Sequence, residues 1–501
     1  MSEKEVLIEM EEKSRDGRDG KRTSGVRNVS KSLEGGEPIG YSEAFYDIVK
    51  ASIPSILTCM VYRTVSVLNF IVIGRLGDPA YVSGAGLGII TYTIACTAIS
   101  RGLGGGIDTL CSQAFGNKNP YLAGCYYHRA VIITSLLMIP QGIVLWNCEA
   151  ILVYFGLPEL SAKYAAIYIR ILLPSLWCEC QRDLLRKFLS CQKEFKLILY
   201  SQIISSVLHP LWLFLTIYVC GLRFEGVAIA NSLVVFSNFF IPFMIIYFDR
   251  SWVQEESWHW FSKDSFNGLW QYLHYGFPSL LVVSFELWGF EGINIMAGYL
   301  GVNEMGACSI VFEIIILFFM LALGMSFPSS SLVGNSLGAG KPKNALIYAM
   351  VAVGVSLALG ALTFLVIFIF PEQLAWMFTN NEVISRLVII SVPLMALCCL
   401  GDFAQCISAA IIRAMGKQKY LSISVIISYW LIVLPLTYYC AFTLGWGITG
   451  IMCGLPIGLT VLCLFSMYII FSEDFSQLSQ EIIDRIQKDK SKIKQTPNSS
   501  N

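Results

Sequence analysis

Long apolar runs separated by short polar stretches alternate along almost the whole chain. Six runs fall near residues 51–73, 81–103, 125–147, 164–186, 197–219 and 226–248, and six more near 276–300, 304–327, 345–370, 384–411, 421–442 and 448–471. Each reaches the roughly 20 residues a helix needs to cross the hydrocarbon core of a bilayer. Lipid offers no partner to an open strand edge, so segments this apolar cross as helices. The pattern predicts an all-α integral membrane protein with twelve transmembrane helices. It divides into a polar tail at 1–40, an N-lobe at 41–249, a linker at 250–266, a C-lobe at 267–471 and a second polar tail at 472–501. The linker region, DRSWVQEESWHWFSKDSF, is polar and rich in tryptophan, which suits the headgroup level.

Composition agrees with this pattern and adds an orientation. Hydrophobic residues make up 55% of the 501, and charged residues only 14%. The net charge is zero, so nothing in the balance calls for a nucleic-acid partner. Residues 1–40 are polar and mixed in charge, without the apolar core of a secretory leader, so the first membrane helix is expected to direct insertion. With the N-terminus inside, the inner connections and their flanks carry fourteen Lys and Arg, among them Lys118, Arg182, Arg186, Lys187, Lys341, Arg413 and Lys417. The outer ones carry four: Arg75, Lys163, Arg223 and Arg386. The excess predicts both termini in the cytoplasm and leaves the Asn28-Val-Ser match unglycosylated. Most of the 16 cysteines lie inside apolar runs, where free Cys packs as a small hydrophobe, and none has the spacing of a zinc site.

The two series of runs are copies of one another. IGRLGD at Ile73 stands 224 residues before AGYLGV at Ala297. QAFGNKNP at Gln113 stands before LGAGKPKN at Leu337, and GLRFEG at Gly221 before GWGITG at Gly445, at the same offset. Six helices per copy preserve orientation, so the repeat is parallel, about an axis along the membrane normal. The expected architecture is two pseudo-symmetric six-helix lobes with a substrate cavity between them. The glycine-rich RGLGGGIDTL, Arg101 to Leu110, ends a helix and lacks a following Lys-Ser/Thr pair. Close helix packing explains it better than phosphate binding.

These same blocks carry a resemblance. IGRLGD, DTLCSQAFGNKNPYLAG and SIVFEI with VGNSLGAGKP resemble the multidrug and toxic compound extrusion (MATE) family over roughly residues 45–470, and FELWGFEG and SIVFEI are most similar to eukaryotic members. The resemblance implies two six-helix lobes around a central cavity. It also implies antiport of small organic compounds, cationic or otherwise amphipathic, against protons or sodium ions, with no further cofactor. A monomer in a plasma or vacuolar-type membrane is expected, with the lipid bilayer and a small-molecule substrate as partners. Two departures stand out. Asn69 occupies the position of an Asp that similar bacterial proteins often carry on the first helix, and Arg63 sits mid-span where the family usually has an uncharged residue.

The chemistry-bearing residues follow from what lipid rejects. An acidic residue at the bilayer centre costs roughly 2.5–3.5 kcal/mol on insertion scales. Yet FELWGFEG places Glu286 and Glu291 in the seventh helix, SIVFEI places Glu313 in the eighth, and Asp402 follows in the tenth. Desolvation disfavours the charged form, so such carboxyls can load a proton and release it when a cation arrives. They are the expected proton-coupling residues, with structural, hydrogen-bonded acids as the alternative. Five residues of helix leave Glu286 and Glu291 about 140° apart. Glu291 and Glu313, each 11 residues from Val302, are expected at equal depth. Trp288, Phe290 and Tyr299 offer aromatic faces for a cation or simple packing, and Asn69 is a further candidate for the cavity wall. Arg63 is expected to pair with Glu179 or Asp183 of the fourth helix; snorkelling and substrate selection are the other readings. Pro174 and Pro393, in the fourth and tenth helices, are static kinks or hinges. No metal site is expected. An enzyme is not expected either, since HExxH, GxSxG and His-Asp clusters are missing. Sodium coupling and a lipid-linked precursor flippase of similar architecture remain the alternatives to proton-driven efflux.

Overall fold

A computed structural model describes residues 38–379 and 381–495. Most of the 1–40 tail, including Asn28, and residues 496–501 lie outside the described residues. Among the described residues twelve long helices make up the bundle. The N-lobe consists of α1 (Tyr41–Arg75), α2 (Ala80–Gly116), α3 (Pro120–Trp146), α4 (Glu159–Cys191), α5 (Lys196–Val219) and α6 (Phe224–Phe248). The C-lobe consists of α7 (Leu269–Leu300), α8 (Val302–Gly338), α9 (Pro342–Ile369), α10 (Glu382–Ala396 continued by Cys398–Met415), α11 (Gln418–Thr443) and α12 (Ile448–Ser472). Helix starts are set by local chemistry. Asp78 accepts from the Ala80 amide at 2.8 Å ahead of α2, and the Asn381 side chain accepts from the Val383 and Ile384 amides ahead of α10. Each satisfies amides that the first turn leaves without partners.

The repeat extends to irregular features. A short helix follows α3 (Cys148–Tyr154) and another follows α9 (Pro371–Phe378). A π-helical turn at Leu215–Val219 in α5 returns 224 residues later at Tyr439–Thr443 in α11. Among the described residues, eleven helices are long and apolar enough to cross a membrane. The exception, α4, carries a stripe of charges at Glu179, Arg182, Asp183, Arg186 and Lys187. The two prolines differ in effect. α4 runs unbroken through Pro174, whereas the helix containing Pro393 stops at Ala396 and restarts at Cys398.

The lobes meet mainly where α1 packs on α8 and where the second half of α2 packs on α7, α8 and α10. Glycine makes these approaches possible. A Cβ on Gly324 would sit 2.5 Å from Ile56 Cα, and Gly102 of the glycine-rich run faces the Leu280 backbone. That is the close packing expected for RGLGGG. The seam is shut at the end of the bundle where α1 begins and α12 finishes, here called the terminal face. There Thr109 Oγ1 donates to the Arg413 carbonyl at 2.5 Å, Gln113 Nε2 to Ala414 at 2.6 Å and Asn117 Nδ2 to Gly338 at 3.0 Å. In return Asn335 Nδ2 donates to the Cys191 carbonyl at 3.0 Å.

Part of the expected second tail is not loose. Residues Phe475–Gln495 form a helix, α13, that lies on the terminal face. Phe475, Leu478, Ile482 and Ile486 are buried, at the spacing that puts them on one side of a helix. Its polar side bridges both lobes. Asp489 accepts from Tyr126 of the N-lobe at 2.6 Å and from Gln271 of the C-lobe at 2.7 Å. Arg485 donates to Tyr275 of the C-lobe and to Gln113 of the N-lobe.

Candidate functional site

The C-lobe brings two of the four expected acids together. Glu286 of α7 and Asp402 of α10 lie close enough to repel one another, with Tyr429 of α11 beside both. Asp402 is 5% exposed. Among the described residues neither carboxyl has a hydrogen bond or an ion pair, and the cation that Glu286 feels is Arg413, toward the terminal face. Asp402 is buried and Glu286 half-buried, and holding a carboxylate away from water without a hydrogen bond or counter-ion is costly.

The other two acids are engaged elsewhere. Glu291 accepts from Asn294, three residues on in the same helix, at 3.3 Å. Glu313 reaches across the lobe boundary and accepts from the Arg63 guanidinium. Glu286 and Glu291 therefore face different surroundings, as their angular separation on one helix requires. No bond joins Glu291 to Glu313 among the described residues, despite their equal distance from the hairpin.

The expected pairing of Arg63 with Glu179 or Asp183 is corrected. Glu179 accepts from Arg182 at 3.0 Å and from Tyr62 at 3.4 Å, and Asp183 accepts from Arg186 at 2.6 Å. Both acids take partners one turn away on their own helix, which orders few additional side chains. Arg63 is left beside α8, against which α1 packs, and finds Glu313 there; the two side chains are 27% and 31% exposed.

A cationic N-lobe wall faces this acidic C-lobe. Besides Arg63 it holds Arg101, Arg182 and Arg186. The Arg182 guanidinium lies 4.9 Å from the Tyr62 ring, and that of Arg186 lies 3.9 Å from the ring of Phe327 on α8. Nearer the terminal face Asp108 bridges Lys187 at 2.8 Å and Arg413 at 3.6 Å, tying the lobes. Reading the sequence for spans assigned Arg182, Arg186, Lys187 and Arg413 to inner flanks. The alternation of sign at positions 179, 182, 183 and 186, all on one helical face, was the available signal for a buried ionic stripe. Arg101 carried a weaker one, a single Arg within an apolar run.

The cavity candidates divide. Asn69 is buried inside the N-lobe, and both its amide atoms are used. Its Oδ1 bonds to His209 Nε2 at 2.8 Å, and its Nδ2 donates to Asn231 at 3.1 Å. It is a core hydrogen-bonding residue rather than part of an open wall. Phe290 packs edge-on against Phe312 and tilted against Tyr429. Trp288 stacks edge-on with Phe285 and holds a buried indole N–H that has no hydrogen-bond partner among the described residues. Tyr299, 79% exposed, lines a cleft between α7 and α11 with Ile295, Tyr438 and Phe442.

Two six-helix lobes meeting at a charged seam, joined tightly at one face, are the architecture of a two-lobed membrane transporter. The MatE family model matches this chain twice, over residues 54–215 and 278–439, the same 224-residue offset. The chain belongs to the MATE family. Multidrug and toxin extrusion protein 1 of Xenopus tropicalis is 29% identical over 432 residues, covering 85% of this chain and 74% of that one. Protein DETOXIFICATION 49 of Arabidopsis thaliana is 28% identical, covering 85% and 84%. Among solved structures, the eukaryotic MATE transporter AtDTX14 superposes with a TM-score of 0.84 at 20% identity, covering 89% of this chain and all of that one. The protein is thus an integral, multi-pass transporter of a family named for multidrug and toxin extrusion.

Proposed function

We propose that this chain exports small organic compounds by alternating access in exchange for protons, with both described ends on the cytoplasmic side. The observation that carries the reading is the Glu286–Asp402 pair, a half-buried and a buried carboxyl within electrostatic reach of one another and without a bonded cation. A proton bound there stabilises one arrangement of α7, α10 and α11. Its loss leaves a charge that the same arrangement cannot hold, so the pair biases the two states of the seam. The coupling group is then Glu286 with Asp402, and Glu291 and Glu313 act in helix α7 and at the lobe boundary. The closed terminal face corresponds to a state open to the outside. The excess of Lys and Arg on inner connections supports that sidedness.

The test is uptake of rhodamine 6G into liposomes holding the purified protein, driven by an imposed pH gradient. Glu286→Gln and Asp402→Asn are each expected to abolish accumulation against the gradient while leaving exchange at equilibrium. Glu291→Gln is expected to retain most of it. Undiminished accumulation in both pair variants, or accumulation that follows a sodium gradient and ignores pH, overturns the reading.

A further inference from the structure

The N-lobe charges do not balance among their own hydrogen bonds. Glu179 is taken by Arg182, Asp183 by Arg186 and Glu313 by Arg63. Arg101 is left over: among the described residues its guanidinium makes no hydrogen bond and no ion pair. It is partly buried in the middle of α2 and lines a small void with Ser100, Cys96, Glu179 and Asp183. Its neighbour Gly102 touches α7 of the other lobe, while the void itself is walled by α2 and α4 of the N-lobe. A guanidinium within a membrane span is costly unless it is paired. The field of Glu179 and Asp183 reaches it, but both acids are already bonded elsewhere. The fork of five donors is free to take an oxyanion.

We propose that Arg101 receives the carboxylate, or a comparable oxyanion, of an amphipathic substrate, so that this transporter accepts organic anions. The inference rests on the transport reading above and names a substrate class for it. Guanidinium forks match carboxylates with two parallel hydrogen bonds. The division of charge between the lobes follows the same logic. The acidic C-lobe pair holds the coupling proton, and the cationic N-lobe wall holds the substrate anion. Proton and substrate then occupy opposite sides of the seam and influence one another through its opening rather than by competing for one carboxylate.

The test compares two xanthene dyes of related scaffold, anionic fluorescein and cationic rhodamine 6G. Equilibrium binding to the full-length purified protein is measured by fluorescence anisotropy. Wild type is expected to bind fluorescein. Arg101→Gln is expected to lower the ratio of fluorescein to rhodamine 6G affinity about tenfold, the scale of a charged hydrogen bond. Arg101→Lys, which keeps the charge but loses the fork, should recover part of that ratio. Wild-type protein that binds rhodamine 6G but not fluorescein overturns the proposal, as does an unchanged ratio in Arg101→Gln. Because binding is read without a gradient, its outcome is separate from that of proton coupling. If fluorescein binds through Arg101 and no pH gradient drives it, the coupling reading fails and this one stands.

Discussion

The terminal-face seam gives a quantitative test of alternating access, because two glycines on opposite lobes each lie against the other lobe's backbone. A Cβ added to Gly116 would lie 2.8 Å from Asn335 Cα, and one added to Gly338 would lie 2.8 Å from Gln113 Cα, with the carbonyl oxygens of those residues closer still. The obstacles are main-chain atoms of α8 and α2, which cannot swing aside as a side chain could, so Gly116→Ala or Gly338→Ala must push the lobes apart. Overpacking of this kind costs about 1–3 kcal/mol. The strain exists only while the face is shut, so the same energy shifts the equilibrium toward the state open at this face by roughly 5–150-fold. Cys191 reports on the seam: it is 3% exposed, and its carbonyl accepts from Asn335 of the opposite lobe. Cys111 serves as the control. It is fully buried, and its thiol bonds to the Ala123 carbonyl inside the N-lobe. In either variant, alkylation of Cys191 by N-ethylmaleimide, resolved by peptide mass spectrometry, should accelerate by that factor while Cys111 keeps its rate. An unchanged Cys191 rate in both variants would refute the idea that this face is a gate held shut by close backbone packing.

Two further expectations concern bonds that cross between the lobes. Arg63→Leu should lower protein abundance, and adding Glu313→Leu should restore part of it, whereas adding Glu179→Leu should depress it further by stripping Arg182 of its acid; equal recovery with both partners would contradict the pairing. The pair is about one-third exposed, so its net worth is about 1 kcal/mol or less, and most of the loss comes from leaving one charge unpaired. Asp489→Ala removes the acceptor shared by buried Tyr126 and by Gln271, at 2.6 and 2.7 Å. It should destabilise the protein by about 2–3 kcal/mol, read as a lower melting temperature in detergent and partly recovered by Asp489→Asn; an unchanged melting temperature would mean that α13 does not brace the two lobes.

Much of this architecture was open to reading from the residues. The apolar runs require twelve spans because lipid cannot satisfy exposed backbone, and the single 224-residue offset requires two like lobes, since one insertion geometry serves both copies. The acids of α7, α8 and α10 were visible because each violates the composition around it. Which of them act together was not visible. Helical spacing places a residue on its own helix, but whether Glu286 comes within electrostatic reach of Asp402, or Glu313 bonds to Arg63, depends on which helices pack and at what depth, and the two pairs lie 116 and 250 positions apart in the chain. The same limit hid the surplus charge of Arg101, since an ion is unpaired only after every neighbouring acid has been assigned a partner. It also hid the docking of α13: its apolar spacing marks a face to be covered, and the terminal ends of both lobes supply the cover only once they have come together.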